Sequence, residues 1–135
     1  MTILTVIPTQ REFDALVRVL AETGHKTLER PIGRLSGLEY HGGKIMLAQG
    51  GLEKAQMAVH TQHLIEHVED LGLVVCAGTA GGLLDTLAAG DVVIATATIE
   101  HDFKWGLVDQ PQPRFEGHVE SISALMAAGR SLGPV

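Results

Sequence analysis

Glu12 is the residue whose type and position most directly suggest chemistry. It closes the segment Val6-Ile7-Pro8-Thr9-Gln10-Arg11-Glu12, where an apolar run passes into a helix-start pattern. A carboxylate at the carboxyl edge of a strand can serve as a base toward a bound water. Thr9-x-x-Glu12 is also a capping box, in which the carboxylate reaches back to the Thr9 backbone N–H and its charge suits the positive helix end. The two roles are compatible. Two glycine-rich turns follow further along. Gly78-Thr79-Ala80-Gly81-Gly82 comes straight after the apolar run Leu73–Ala77, and Gly50-Gly51-Leu52 comes straight after Lys44–Ala48. Such turns let backbone N–H groups approach a ligand closely, because few Cβ atoms stand in the way. A structural turn alone explains either cluster. Both together, each after a strand, favour a small-molecule site. Neither is a Walker P-loop, since no Gly-Lys-Ser/Thr follows, and GxGxxG is absent.

The elements that must position these residues alternate between strand and helix. Ile3–Ile7 reads as the first strand, and Glu12–Ala21 as a helix with Phe13, Leu16, Val17 and Leu20 on one stripe, stopping near Gly24. Arg34–Tyr40 and Lys44–Ala48 are strands joined by a hairpin turn at Gly42-Gly43. Glu53–Val68 is the second helix. Leu73–Ala77 is unbroken and apolar, as a strand buried on both faces of a parallel sheet would be. Asp91–Thr98 is a further strand, followed by an irregular stretch from Glu100 to Gly117. Ser121–Leu132 is a last helix that stops at Gly133-Pro134. The expected class is α/β: a three-layer αβα unit with a central mixed sheet, forming a single domain over residues 1–135. Ligands of such sheets collect at the carboxyl ends of the strands, so Glu12 and both turns are expected around one concavity.

Composition narrows the function classes. Of 135 residues, 45% are hydrophobic and 19% charged, which excludes a disordered chain. The net charge of −6 argues against nucleic acid and against an anionic membrane surface as partners. Cys76 is the single cysteine, so no internal disulfide forms, and a cytoplasmic location fits. No apolar run is long enough to span a membrane, and no basic n-region marks a signal peptide. His60, His63 and His67 share one helical face, but the H-E-x-x-H spacing is missing, so a packed or solvated face is expected rather than a metal site.

Four segments together resemble the nucleoside phosphorylase and nucleosidase superfamily. They are the strand-to-helix start ending in Glu12, Ala48-Gln49-Gly50-Gly51-Leu52-Glu53-Lys54, Gly78-Thr79-Ala80-Gly81-Gly82-Leu83, and Ala89-Gly90-Asp91-Val92-Val93-Ile94. Within it, the nearest likeness is to hydrolases of methylthioadenosine and S-adenosylhomocysteine. The resemblance covers roughly residues 1–125 and corresponds to the N-terminal portion of the family domain, truncated at its C-terminal side. It implies a phosphorylase/hydrolase-like fold, a homo-oligomer and no cofactor. It also implies a small-molecule nucleoside substrate. Glu12 then orients and activates the attacking water. Gly78, Thr79, Ala80 and Gly81 line the base and ribose pocket, and Gly50, Gly51 and Leu52 lie beneath the sugar. His101-Asp102 matches a pair that shapes the pocket or the subunit edge, with Phe103 and Trp105 as pocket caps or as core.

The implied reaction is hydrolysis of an N-ribosidic bond through an oxocarbenium-like transition state. It needs an acid for the departing base, a positioned water and contacts to the ribose hydroxyls. In the family an Asp and a Glu-Met-Glu segment supply the first and last of these. Both belong to the C-terminal half of the family domain and no match to either is found here; Val119-Glu120 does not qualify because no Met-Glu follows. Pro8-Thr9 stands where a small residue and Met are usual, which is closer to futalosine hydrolases. Arg11 keeps a phosphate-dependent phosphorylase open. A nucleoside-binding half-domain without activity, or one part of a split enzyme, also fits these residues.

Overall fold

In a computed structural model, which describes residues 1–103, 106 and 110–131, the chain forms two compact units, Met1–Gly81 and Gly82–Val135. The first is built on a five-stranded mixed sheet. Its strands are β1 (Thr2–Ile7), β2 (Thr27–Glu29), β3 (Gly37–Tyr40), β4 (Ile45–Gln49) and β5 (Leu71–Cys76), in the order β2-β3-β4-β1-β5. β4 and β5 run parallel to β1 on either side of it, while β2, β3 and β4 form an antiparallel meander. The β3–β4 turn uses the expected Gly42-Gly43, both at positive φ.

Side-chain alternation along β1 decides where the helices go. Leu4 and Val6 point to one face and pair with Met46 and Ala48 of β4; all four are buried. Helix α2 (Lys54–His67) drives Leu64 into that cluster with no exposure at all, and Ile32 closes it. Burial of one leucine side chain of this kind contributes about 2 kcal/mol. Ile7 and Leu47 are buried on the opposite face, where α1 (Gln10–Glu22) brings Ala15 and Leu16 beside Ile7. Helix, sheet and helix therefore form the three expected layers. The stripe Phe13, Leu16, Val17 and Leu20 of α1 is only half-buried.

Two strand expectations need correction. Leu73–Ala77 was expected to lie buried inside the sheet. Instead β5 is an edge strand among the described residues, alternating between half-buried and exposed, with Cys76 exposed. Its apolar run reads as a doubly covered strand, but only β1 pairs with it. Asp91–Thr98 was expected as one strand of the same sheet. Only Ala97–Ile99 is a strand there (β6), and it pairs antiparallel with β7 (Arg114–Glu116) inside the second unit. That partner is near in sequence, so pairing closes a short loop at low entropic cost. Val92 and Val93 stay 67% exposed. Asp91 instead folds the preceding turn, its carboxylate accepting the Ala88 N–H at 2.8 Å. The last element among the described residues is α3 (Val119–Ser131), begun two residues before the predicted start. The expected stop at Gly133-Pro134 and the aromatic Trp105 lie outside the described residues.

Candidate functional site

The three parallel strands carry the candidate residues to one edge of the sheet. Ile7 pairs with Gln49 and Val6 with Cys76, so β1, β4 and β5 end almost level. The segments that follow them hold Glu12, Gly50–Leu52 and Gly78–Gly81 respectively.

Thr9 caps α1 from an extended conformation (φ −113°, ψ 153°), and the capping box forms in full. The Glu12 backbone N–H donates to Thr9 Oγ1 at 3.2 Å, and the Thr9 N–H donates to Glu12 Oε2 at 3.0 Å. The Thr9 hydroxyl adds a further bond to Oε2 at 2.6 Å. The other oxygen faces away from the helix. Glu12 Oε1 accepts both the N–H and the hydroxyl of Thr79, each at 2.6 Å. The carboxylate thus caps α1 with one oxygen and holds the turn after β5 with the other.

Four donors stabilise the charged form, and they hold Glu12 well below the usual carboxylate range, at about 2. The Thr79 hydroxyl is the largest cause, followed by the Thr9 hydroxyl and the Thr79 N–H. At neutral pH the group is therefore an ionised acceptor. It is suited to orienting a water or a developing positive charge more than to taking a proton outright. The charge also reaches Cys76, whose thiol is pushed up first by partial burial and then by Glu12.

Gly78 lets the turn come this close. A Cβ there would stand 3.0 Å from Glu12 Oε1 and 3.0 Å from Pro8 Cδ. Glu12, Gly78 and Thr79 line one cleft of about 250 Å³ with Ile7, Ala15, Leu16 and Ala77. Its wall is almost wholly apolar, and Glu12 is the charged residue beside it. Ala80 and Gly81 are exposed beyond that lining. The Gly50–Leu52 turn sits on the other side of β1. Gly50 N–H donates to the Ile7 carbonyl at 2.8 Å and Gly51 N–H to the Pro8 carbonyl at 3.0 Å. It is laced to the segment that leads into Glu12 but does not line the cleft. Gly50 is buried under α2, with Val6 Cγ1 2.5 Å from where a Cβ would stand and Met57 Sδ beside it.

Two residues of the histidine face, His63 and His67, are tied to the backbone and to each other. His63 Nε2 accepts the Arg34 N–H at 3.0 Å, and the His63 carbonyl accepts from His67 Nδ1 at 2.8 Å. The two rings lie 4.1 Å apart beneath Gly33. His101 and Phe103 belong to the second unit, where the His101 carbonyl accepts from the Gln112 amide and the Phe103 N–H donates to the Glu100 carbonyl. The Thr9 hydroxyl is the feature that the sequence reading missed. Its signal was present: a threonine cap has a proton to donate beyond what the helix end uses.

Comparison with known proteins places this arrangement in context. Residues 2–128 match the Phosphorylase superfamily. The 5'-methylthioadenosine/S-adenosylhomocysteine nucleosidase of Bacillus subtilis (strain 168) is 35% identical over 95 residues, a stretch covering 70% of this chain and 38% of that protein. The crystal structure of the corresponding nucleosidase from Neisseria meningitidis, in complex with methylthio-immucillin-A, is similar with a TM-score of 0.75 at 30% identity. It covers 100% of this chain and 61% of the other. A futalosine hydrolase mutant of Helicobacter pylori shares the fold, with a TM-score of 0.74 at 19% identity and coverage of 100% and 65%. The chain spans less than two thirds of the length of each of these relatives.

Proposed function

The chain belongs to the Phosphorylase superfamily, and from that premise we propose that the protein hydrolyses the N-ribosidic bond of a purine-type nucleoside such as methylthioadenosine or S-adenosylhomocysteine, releasing the base. The observation that carries this reading is the link from Glu12 to Thr79. It joins the first helix to the turn after β5, 67 residues later, and brings an ionised carboxylate beside a cleft at the carboxyl ends of the parallel strands β1, β4 and β5.

In this reading Glu12 Oε1 orients the attacking water. Each carboxylate oxygen already accepts two hydrogen bonds, so a lone pair becomes available when the Thr79 hydroxyl rotates toward the substrate. The negative charge then faces the sugar as it gains oxocarbenium character, which favours the transition state over the ground state. Gly78 and Thr79, which line the cleft, contact the substrate, while the Gly50–Leu52 turn, on the other side of β1, holds the segment that leads into Glu12. No step uses a cofactor. A cytoplasmic homo-oligomer belongs to the same proposal. It is supported by the exposed apolar side chains Leu83, Leu84, Val92 and Val93 and by a single cysteine in the chain. No helix among the described residues is long and apolar enough to cross a membrane.

The test is base release from methylthioadenosine and S-adenosylhomocysteine, with futalosine as a second substrate and a phosphate-dependent control. Phosphate-independent release that is lost in Glu12→Gln supports the proposal. Release that requires phosphate, or none from any nucleoside by a polypeptide extended to the relatives' length, removes it.

A further inference from the structure

The two oxygens of Glu12 have separate partners, and Thr9 is the reason. Thr9 Oγ1 accepts the Glu12 N–H at 3.2 Å, which is all that a helix cap requires of a side chain. The same hydroxyl then donates its proton to Glu12 Oε2 at 2.6 Å, beside the Thr9 N–H at 3.0 Å. The helix end gains nothing from that second bond. Aspartate caps helices at least as well and has no proton to give at neutral pH. The terminal torsion of a glutamate is broad and roughly two-fold, so an unrestrained carboxylate would exchange its oxygens. With Oε2 tied twice to Thr9, the carboxylate plane is fixed and Oε1 is left for the Thr79 turn at 2.6 Å.

We infer that Thr9 is a positioning residue for Glu12: its hydroxyl dedicates Oε2 to the helix cap and thereby aims Oε1 at the Thr79 turn. This rests on reading Glu12 as the water-orienting group. In that setting Thr9 governs both the direction and the basicity of the carboxylate without touching substrate. The low proton affinity of Glu12 agrees with it, the Thr9 hydroxyl being second among its causes.

The test separates capping from positioning on the full chain. Thr9→Ser keeps cap and hydroxyl. Thr9→Asp keeps the cap, removes the donated proton and adds a like charge. Thr9→Gly is tolerated at caps, lacks the hydroxyl and serves if the aspartate variant does not fold. The readouts are the carbon-13 titration of the Glu12 carboxyl, assigned with Glu12→Gln, and the exchange rate of the Thr79 amide. T9S should match the parent. T9G, which adds no charge, should raise the proton affinity of Glu12 at least about tenfold, and both T9D and T9G should expose the Thr79 amide, while far-UV circular dichroism stays unchanged. A Glu12 titration and a Thr79 amide that do not move in T9D or T9G overturn the inference and leave Thr9 as a cap. Neither readout needs turnover. Absence of hydrolysis would remove the functional reading and leave this result standing, and unmoved spectra would remove this inference whatever the enzyme does.

Discussion

Glu12 Oε1 lies 2.6 Å from both the backbone nitrogen and the hydroxyl of Thr79, so one carboxylate oxygen closes a contact between the start of α1 and the loop after β5. The contact is electrostatic and sits at a partly exposed surface. Its strength therefore depends on the protonation state of Glu12.

The first prediction follows from that dependence. The folded pKa of Glu12 is about 2, below its ordinary value of 4.5. A depressed carboxylate stabilises the fold fully above its unfolded pKa, and the contribution disappears as pH falls through the folded value. The parent should lose thermal stability between pH 4.5 and about 2 more steeply than Glu12→Gln. Solvent screening keeps the difference modest. Melting curves across that range measure it, and parallel slopes for the two proteins would show that the four bonds are not formed in solution.

Cys76 provides an independent probe of the same charge. Its thiol is exposed at the β5 edge but pushed up by partial burial and by Glu12. The thiolate is the reactive form. Glu12→Gln should therefore speed the reaction of Cys76 with a disulfide reagent at pH 8, with the gap closing as pH rises. Equal rates at every pH would place the carboxylate away from the sulfur.

Gly50 tests the packing beneath the site. A methyl group there meets Val6 Cγ1 at 2.5 Å, on β1, as well as Met57 Sδ. Met57 can move, but Val6 is 1% exposed and held on both sides by β4 and β5. Gly50→Ala should cost about 1–3 kcal/mol by urea unfolding, as overpacking does. Gly81→Ala, with nothing within 4 Å of the added carbon, should cost far less. Equal costs would contradict the close approach of α2 to β1.

Much of this was legible in the sequence. Thr9-x-x-Glu12 forms the capping box, Gly42-Gly43 forms the hairpin turn, and β1, β4, α1 and α2 fall within a residue or two of their patterns. Those features are local, set by caps, turns and periodicity. What could not be read was pairing at a distance. The apolar run of β5 does not say how many neighbours it has, and Val92-Val93-Ile94 does not say whether a partner edge is available. The three-residue β2 is too short to carry a period. At the site, the approach of Thr79 to Glu12 depends on the level ends of β1 and β5, a register that no short motif encodes.

The last prediction concerns turnover. In the proposed reading Glu12 orients the water, and the family resemblance assigns the leaving-group acid and the ribose-gripping carboxylates to segments with no counterpart among these residues. Departure of an adenine anion without protonation is slow, and loss of the ribose contacts removes binding energy that would be realised in the transition state. A polypeptide of these 135 residues should therefore release adenine from methylthioadenosine at a rate near background. A polypeptide extended to the length of the relatives should be active, and Glu12→Gln in it should lower kcat by about 100-fold or more, the span of positioned acid–base groups. Adenine release followed by chromatography decides between the outcomes. Appreciable turnover by the short polypeptide, with its mass confirmed and contaminating enzyme excluded, would mean that another group protonates the base. An unchanged rate in the extended Glu12→Gln variant would confine Glu12 to the cap of α1 and its hold on Thr79.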